Sequence, residues 1–166
     1  VFCVDLVTGE EKWMMPAVLI RVAYDGMVVC ANVDRVTLLD GETGDIRWDR
    51  ELTLSQSTDV FIADGALWIG GGRPWEPPKP SKYSGPAWGP YFAVKHDLET
   101  GDVLMEIAQE NPLHHHRCYQ NKATNKYILG GRRGTEFLDL ATGEVQWNSW
   151  ARGVCRYGIM PANGLL

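Results

Sequence analysis

The sequence predicts an all-β protein, a partial β-propeller of four-stranded antiparallel blades with about three complete blades and two incomplete ones. Three observations support this prediction. One frame, Asp-x-x-Thr-Gly-x-x-x-Trp, occurs four times, with Met in place of Trp in the third copy. Its copies recur at roughly the 40–50-residue period of propeller blades, with one longer interval. The 18 glycines and seven tryptophans among 166 residues are typical of a turn-rich protein with aromatic side chains between its sheets.

Each copy of the frame is predicted to fold as a β-hairpin. The apolar residues before Asp form one strand, and Thr-Gly forms the turn, because Gly takes a positive φ at no steric cost. The residues after Gly form a second strand that ends in Trp. A single hairpin is marginal in water, so the copies must stack, and four unrelated hairpins would not share one frame. The frame residues are Asp5, Gly9, Trp13, Asp40, Gly44, Trp48, Asp97, Gly101, Met105, Asp139, Gly143 and Trp147.

The blades are predicted to follow one another along the chain. They cover residues 1–13 (the end of a blade), 14–50, 51–107, 108–147 and 148–166 (the start of a blade). In the first complete blade, strands over 17–23, 27–33, 35–40 and 45–48 run from the axis to the rim, with Asp25-Gly26 as a tight hairpin turn.

The next two blades repeat this order. Strands over 59–63 and 66–70 flank an Asp64-Gly65 turn, strand 91–97 follows a long insertion, and the fourth strand ends near Ile107. In the third complete blade the innermost strand begins near His114 or His115, and strands over 127–131 and 136–140 follow an Asn125-Lys126 turn. The last, incomplete blade begins with a strand over 150–157 and reaches a turn at Asn163-Gly164.

The insertion at 72–90 holds six of the nine prolines, so it cannot be a central strand. It is interpreted either as a lid or partner-binding loop, since long loops in compact domains are often functional, or as a cover for an apolar blade surface.

Composition excludes several classes of protein. The net charge of −5 argues against a general nucleic-acid binder, which needs basic surface. No run approaches the roughly 18 apolar residues of a membrane helix. No signal peptide is visible, and the sequence opens and stops inside predicted strands, so we expect a fragment of a longer protein. The four cysteines have no CxxC or zinc spacing, and Cys3 and Cys30 are expected to be buried free thiols.

Strand direction predicts where a ligand could bind. Because successive strands are antiparallel, the loops that join blades emerge on the same face as the insertion, opposite the Thr-Gly turns. Polar side chains should therefore gather at one mouth of the axial channel, with Trp75 and Trp88 overhanging. The candidate ligand-binding residues are His114, His115, His116, Arg117, Arg152, Arg156 and Tyr157. Arginine suits carboxylate or phosphate, which favours an anionic or polar small molecule or a peptide end. The alternative is that these polar groups form hydrogen bonds with one another, with strand ends and with water in the channel.

Two further interpretations of this region stay open. His114, His116 and Cys118 would share one face of a strand, which is suggestive of zinc or copper, but hydrogen bonding is the favoured interpretation and no metal site is assigned. Cys118 and Cys155 occupy nearly equivalent places in adjacent innermost strands and form either a disulfide or a pair of free thiols. No carboxylate pair and no Ser-His-Asp order supports hydrolase chemistry, and no catalytic residue is assigned.

The frame resembles the tryptophan-docking repeat of pyrroloquinoline-quinone (PQQ) type β-propellers. That superfamily includes quinoprotein alcohol dehydrogenases and non-enzymatic outer-membrane assembly lipoproteins of the BamB type. The resemblance covers nearly the whole chain except the insertion, and the segments HHHRCYQNKAT and RGVCRYGIMPANGLL look like those of large secreted bacterial PQQ-like repeat proteins. It implies that Trp13, Trp48 and Trp147 pack between neighbouring blades, that the chain is under half of a propeller, and that the protein is periplasmic or secreted.

The resemblance is specific for fold rather than for activity. Quinoprotein dehydrogenases carry an adjacent Cys-Cys pair over the cofactor, which this sequence lacks, and their calcium ligands and catalytic Asp have no counterpart that can be placed on it. The expected function is a non-catalytic module for binding or scaffolding, with a protein or a small polar or anionic ligand at the axial mouth and no resident cofactor. The alternative is a fragment of a quinoprotein oxidoreductase that uses PQQ and calcium.

Overall fold

The fold was analysed in a computed structural model. It describes residues 1–16, 19–32, 34–54, 56–74, 89–109, 120–132, 134–154, 157–160 and 162. Within these residues all regular structure is β-strand. The strands are β1 (Phe2–Val4), β2 (Glu11–Met14), β3 (Ile20–Tyr24), β4 (Met27–Ala31), β5 (Arg35–Asp40), β6 (Ile46–Glu51), β7 (Gln56–Ala63), β8 (Ala66–Gly72), β9 (Tyr91–His96), β10 (Val103–Gln109), β11 (Lys122–Ala123), β12 (Tyr127–Gly130), β13 (Thr135–Asp139) and β14 (Val145–Asn148).

The strands pair in chain order into antiparallel sheets. Strands β3 to β6 form sheet I, β7 to β10 form sheet II and β11 to β14 form sheet III, each with four strands. Strands β1 and β2 form a two-stranded hairpin. The predicted all-β class and the predicted four-stranded antiparallel units are therefore confirmed. In the described part of the chain no helix is long and apolar enough to cross a bilayer.

Two apolar layers hold the three sheets together, with sheet II in the middle. Alternate residues of β8 point to opposite sides, as the period of a strand requires. Leu67 and Ile69 pack with Val29, Leu38 and other residues of sheet I. On the other side, Ala66 and Trp68 pack with residues of sheet III that include Ile128, Leu138 and Leu140. Each face of sheet II is thus buried against a neighbouring sheet. This explains why β8 is apolar at consecutive positions.

The Thr-Gly turns share one local geometry. In the second copy, the Asp40 side chain accepts hydrogen bonds from the backbone N–H groups of Glu42 (2.9 Å) and Thr43 (3.1 Å). The N–H of Gly44 donates to the Asp40 carbonyl at 2.9 Å, and Gly44 takes a φ of 79°. A hydrogen bond from Arg47, together with those from the backbone, lowers the pKa of Asp40 to about 2. The turn is therefore built from contacts within a few residues of Asp.

The frame tryptophans connect one unit to the next. The indole N–H of Trp13 donates to the carbonyl oxygen of Gly41 at 3.1 Å, and that of Trp48 donates to the carbonyl oxygen of Leu98 at 2.8 Å. A Cβ added at Gly44 would lie 2.6 Å from the Trp13 ring, and one added at Gly101 would lie 2.7 Å from the Trp48 ring. Only glycine permits so close an approach of an indole to the turn.

Trp147 differs from this expectation. Its side chain is 53% exposed, whereas Trp48 is 5% exposed at the same position of the frame. Tight packing at Trp13 and Trp48 needs the Thr-Gly turn of the following copy, and the sequence holds no further copy of the frame after Trp147. In the third copy, Met105 takes the indole position and lies near Gly143 without an N–H to donate.

The segment after β14 also differs from its prediction. A strand is expected over 150–157, but Val154 and Gly158 pair across a tight turn, with the Gly158 N–H donating to the Val154 carbonyl at 2.9 Å. Gly158 has a φ of 67°, which extended strands do not use. Most of the strand predicted to begin near His114 lies outside the described residues, and the described part contains β11 (Lys122–Ala123). Cys30 is free and buried, and Cys3 is free and half-buried.

Candidate functional site

The first strands of sheets I and II, together with Gln120 before sheet III, line a cleft of about 180 Å³. Strand β3 contributes Ile20 and Arg21, and β7 contributes Asp59, Val60 and Phe61, while Gln120 precedes β11. All of these positions except Gln120 lie on the first strand of a sheet. The cleft therefore lies between the strands that the sequence predicts to be innermost, at the predicted axis.

The lining combines apolar walls with a few polar groups. Phe61 and Val60 are partly buried, and the Arg21 side chain is half-buried. Gln120 is exposed and presents an amide at the edge of the cleft. A guanidinium group offers several N–H donors in one plane, and an amide offers both a donor and an acceptor. This combination suits a small polar or anionic group that approaches along the axis.

Asp59 lies at the base of the cleft and is only 3% exposed. Its carboxylate accepts a hydrogen bond from the Tyr91 hydroxyl at 2.8 Å. It also accepts bonds from the backbone N–H and the side-chain amide of Asn121, at 3.2 and 2.9 Å. A buried carboxylate is costly unless such donors replace water. Asp59 therefore joins the inner strand of sheet II to its own third strand and to the entry of sheet III.

The hydrogen bond between Tyr91 and Asp59 passes over β8 at Gly70. A Cβ at this position would overlap the Tyr91 hydroxyl oxygen. Burial, and next the charge of Asp59, raises the pKa of Tyr91 well above 10. Tyr91 therefore stays protonated and acts as a hydrogen-bond donor.

A second buried polar group, Arg132, lies between sheets II and III. Arg132 is 2% exposed, and its Nη2 donates to the carbonyl oxygen of Gly89 at 2.6 Å. The backbone N–H of Arg132 donates to Glu136 Oε2 at 2.7 Å, and Glu136 is fully buried. Burial lowers the pKa of Arg132, and the negative charge of Glu136 opposes that shift. Arg132 thus ties the end of the proline-rich insertion, at Gly89, to sheet III.

Most side chains that the sequence predicts at the mouth lie outside the described residues. These are His114, His115, His116, Arg117, Cys118, Cys155 and Arg156, together with Trp75 and Trp88. Arg152 and Tyr157 are described, and both are exposed and outside the cleft lining. The disulfide and the metal site therefore stay predictions. Among the described residues, no group of three His, Cys, Asp or Glu side chains could hold a metal ion.

The sequence interpretation missed the side chains that build this site: Arg21, Asp59, Tyr91, Asn121, Arg132 and Glu136. Two signals were present. Asp59 and Glu136 are carboxylates directly before apolar strand residues, and the Gly-rich ends of β8 and β12 mark close approach of another group. Neither signal identifies the partner, because Asp59 and Asn121 are 62 residues apart in the sequence.

Comparison with known proteins identifies the fold. No family model matches the chain, and no curated protein matches it. Among solved structures it is similar to BamB from Moraxella catarrhalis, with a TM-score of 0.57 and 17% sequence identity. The match covers 84% of this chain and 40% of the BamB chain, so the chain spans less than half of that protein. This likeness confirms the β-propeller fold.

Proposed function

We propose that this chain is a non-catalytic β-propeller module that binds a small polar or anionic ligand in its axial cleft. In this proposal it serves as a binding or scaffolding unit of a secreted or periplasmic bacterial protein. The observation that carries the proposal is the convergence of the inner strands of sheets I and II, with Gln120, on one cleft that holds Arg21. Concave sites with apolar walls and a few convergent polar groups are the usual places for small ligands.

The hydrogen-bond donors of the cleft favour a ligand with acceptor oxygens, because the carboxylate of the lining is already occupied while the charges of Arg21 and Asp59 offset each other. The carboxylate of Asp59 already accepts three hydrogen bonds from Tyr91 and Asn121. Arg21 already has a partner within the protein, but its guanidinium carries five N–H donors, so Arg21 and the amide of Gln120 can also donate to a ligand. A carboxylate or phosphate matches the planar guanidinium in shape and in charge.

Binding rather than catalysis is favoured by the chemistry of the lining. The six lining residues include no Ser, Cys, Lys or His that could act as a nucleophile or as a base near neutral pH. Tyr91 touches Asp59 behind the lining, and its raised pKa keeps it a neutral donor. The likeness of fold to BamB supports an architecture of stacked blades.

The alternative quinoprotein function would need PQQ and calcium. The described residues do not fit this group, because they contain no cluster of acidic, His or Cys side chains for a metal ion, and the sequence has no adjacent Cys pair. Titration with PQQ and calcium provides the test. We expect no change in the absorbance of PQQ and no gain in Tm, and a saturable change in both would favour the oxidoreductase.

The binding proposal is tested by calorimetric titration of the chain with small carboxylates and with inorganic phosphate. Arg21→Ala should weaken the affinity for the anion that binds by about tenfold or more, because the guanidinium is its main donor. Arg47→Ala is the matched control, since Arg47 pairs with Asp40 at the Thr-Gly turn, away from the cleft. Equal affinity in the Arg21→Ala variant, or no binding of any anion by the wild-type chain, would contradict the proposal.

A further inference from the structure

The cleft between sheets I and II runs along the edge of β7. It touches three consecutive residues of this strand, Asp59, Val60 and Phe61. Consecutive side chains of a strand point to opposite faces of its sheet. Accordingly, the Val60 side chain packs with the core between sheets I and II, and that of Phe61 packs with the core between sheets II and III. A cleft that all three residues line therefore lies against the main chain of β7, at the edge of the strand.

The main-chain groups of Val60 point toward this cleft. Strand β7 is the first strand of sheet II, and within that sheet it pairs with β8 alone. Its Asp64-Gly65 turn has φ values of 51° and 66°, as in a two-residue hairpin, in which the flanking pair, Ala63 and Ala66, is hydrogen-bonded. Hydrogen-bonded and non-hydrogen-bonded pairs alternate along an antiparallel ladder. Phe61 therefore bonds to β8, whereas Val60 turns its N–H and C=O away from β8.

This edge of β7 offers one hydrogen-bond donor and one acceptor. Apart from its pairing with β8, Val60 has no hydrogen-bond partner among the residues that the structure describes. Val60 is only partly buried and lines the cleft, so its main chain is accessible there. A strand edge that presents N–H and C=O groups is a template on which another extended chain can add as a strand.

Arg21 lies on the other wall of the cleft, at the same distance from the hairpin turns as Val60. Arg21 on β3 precedes the Asp of its Asp-Gly turn by four residues, and so does Val60 on β7. The register of β3 shifts between Ile20 and Val22, which makes Arg21 the extra residue of a β-bulge. A bulge redirects a side chain, and such bulges are common beside binding sites. The guanidinium of Arg21 and the main chain of Val60 can therefore act on the same ligand.

We propose that the ligand of the cleft is the carboxyl-terminal end of an extended peptide, a proposal that rests on the binding function assigned to Arg21 and Gln120. The last residue of the peptide adds to the edge of β7. Its N–H donates to the Val60 carbonyl oxygen, and its carboxylate accepts from the Val60 N–H and from Arg21. The Gln120 amide supplies a further donor to the carboxylate. Ile20 provides an apolar wall for a small terminal side chain.

A peptide end fits this site better than a simple carboxylate such as acetate. Acetate accepts hydrogen bonds from Arg21, Gln120 and the Val60 N–H, but it has no donor for the Val60 carbonyl oxygen. A peptide end brings acceptor oxygens and an N–H in the spacing that a strand edge recognises. The volume of about 180 Å³ is below the roughly 300 Å³ of common small-ligand pockets, so the buried part of the peptide is short.

The first test varies the ligand and keeps the wild-type chain. Calorimetric titration compares acetate, acetyl-Ala-Ala, its C-terminal amide, and an ester analogue in which oxygen replaces the last peptide N–H. Acetyl-Ala-Ala should bind about tenfold more tightly than acetate, and the ester should lose most of this gain because it cannot donate to Val60. The C-terminal amide should bind about tenfold more weakly than the acid, because it lacks the charge that pairs with Arg21. Equal affinities of the ester and the parent peptide would overturn the proposal, as would equal affinities of the amide and the acid.

The second test varies the strand edge. Val60→Pro removes an N–H that points away from β8, so it takes a donor from the cleft and keeps the ladder. It should weaken the binding of acetyl-Ala-Ala about tenfold. Ile62→Pro is the matched control, because Ile62 has the same orientation two residues along β7 and does not line the cleft. Circular dichroism establishes that both variants fold, and if Val60→Pro does not fold, the comparison with the ester decides.

The outcomes separate the peptide proposal from the binding function itself. Acetate binding that depends on Arg21, with no gain in affinity for acetyl-Ala-Ala, would overturn the peptide end and retain an anion site. Binding of neither acetate nor the peptide would overturn both. A gain for the peptide that disappears in the ester and in Val60→Pro, and persists in Ile62→Pro, is the expected result.

Discussion

A missing side chain allows the buried hydrogen bond between Tyr91 and Asp59 to form. Gly70 lies on β8 between the two partners, and any Cβ at this position would overlap the Tyr91 hydroxyl oxygen. Asp59 needs that bond because its carboxylate is 3% exposed and has been removed from water. At the scale of single residues, the base of the cleft thus depends on glycine as much as on the polar side chains.

Gly70→Ala should therefore destabilise the protein. The added methyl group must displace Tyr91 and leave Asp59 with one donor fewer, which costs roughly 2–4 kcal/mol of the free energy of unfolding. Denaturant unfolding measures this cost. Gly72→Ala is the control, because Gly72 lies on the same strand and a Cβ there meets no atom within 4 Å. Two variants equal within about 0.5 kcal/mol would refute the role given to Gly70.

At the scale of elements, β9 carries a buried histidine into the junction between sheets I and II. His96 is 3% exposed, and the distance between its Nδ1 and the carbonyl oxygen of Gly101 is 3.1 Å, which makes Nδ1 the donor. Gly101 is also the glycine that Trp48 covers. Burial lowers the pKa of His96 from 6.5, partly offset by this hydrogen bond, and the charge of Arg50 lowers it further. The imidazole is therefore neutral in the folded junction at neutral pH.

This pKa shift makes the stability of the protein depend on pH. The unfolded chain binds a proton at His96 near pH 6.5, whereas the folded chain binds it only at lower pH. The free energy of unfolding should therefore fall as the pH drops below about 6.5, and it should be restored as the pH rises above that value. The pKa values of the frame aspartates are also lowered. Their protonation therefore reduces the free energy of unfolding only as the pH falls below about 3.8.

His96→Gln provides the test, because glutamine can still donate to Gly101 but does not titrate. Urea unfolding at about pH 7.5 and pH 5.5 should give a smaller loss of stability in the variant than in the wild-type chain. An identical loss in both proteins would assign the acid sensitivity to other groups.

At the scale of the whole molecule, the junctions between units are unequal. Trp48 buries its ring and donates a hydrogen bond to Leu98, which lies 50 residues away. Met105, at the same position in the next frame, is only partly buried and has no N–H. The rim of sheets I and II is therefore held more tightly than the rim of sheets II and III, where the buried network of Asp59, Tyr91 and Asn121 lies nearer the axis.

Trp48→Ala should cost more stability than Met105→Ala. Loss of a buried indole typically costs about 3–5 kcal/mol, and loss of a partly buried methionine costs less. We expect a difference of roughly 2 kcal/mol or more in the free energy of unfolding. Denaturant unfolding of both variants gives this difference, and equal costs would mean that the two rims are equally strong.

The sequence by itself determines the hairpins, their order and the four-stranded units. The reason is physical and local: an Asp side chain caps N–H groups two and three residues later, and Gly takes the positive φ that ends the turn. The tertiary structure alone decides which polar groups meet in the cleft and which tryptophan is buried. Asp59 meets Asn121 across 62 residues, and Trp48 and Trp147 have the same local sequence frame but opposite exposure. Burial depends on the neighbouring sheet, and a repeat that is equivalent in sequence does not specify its neighbour.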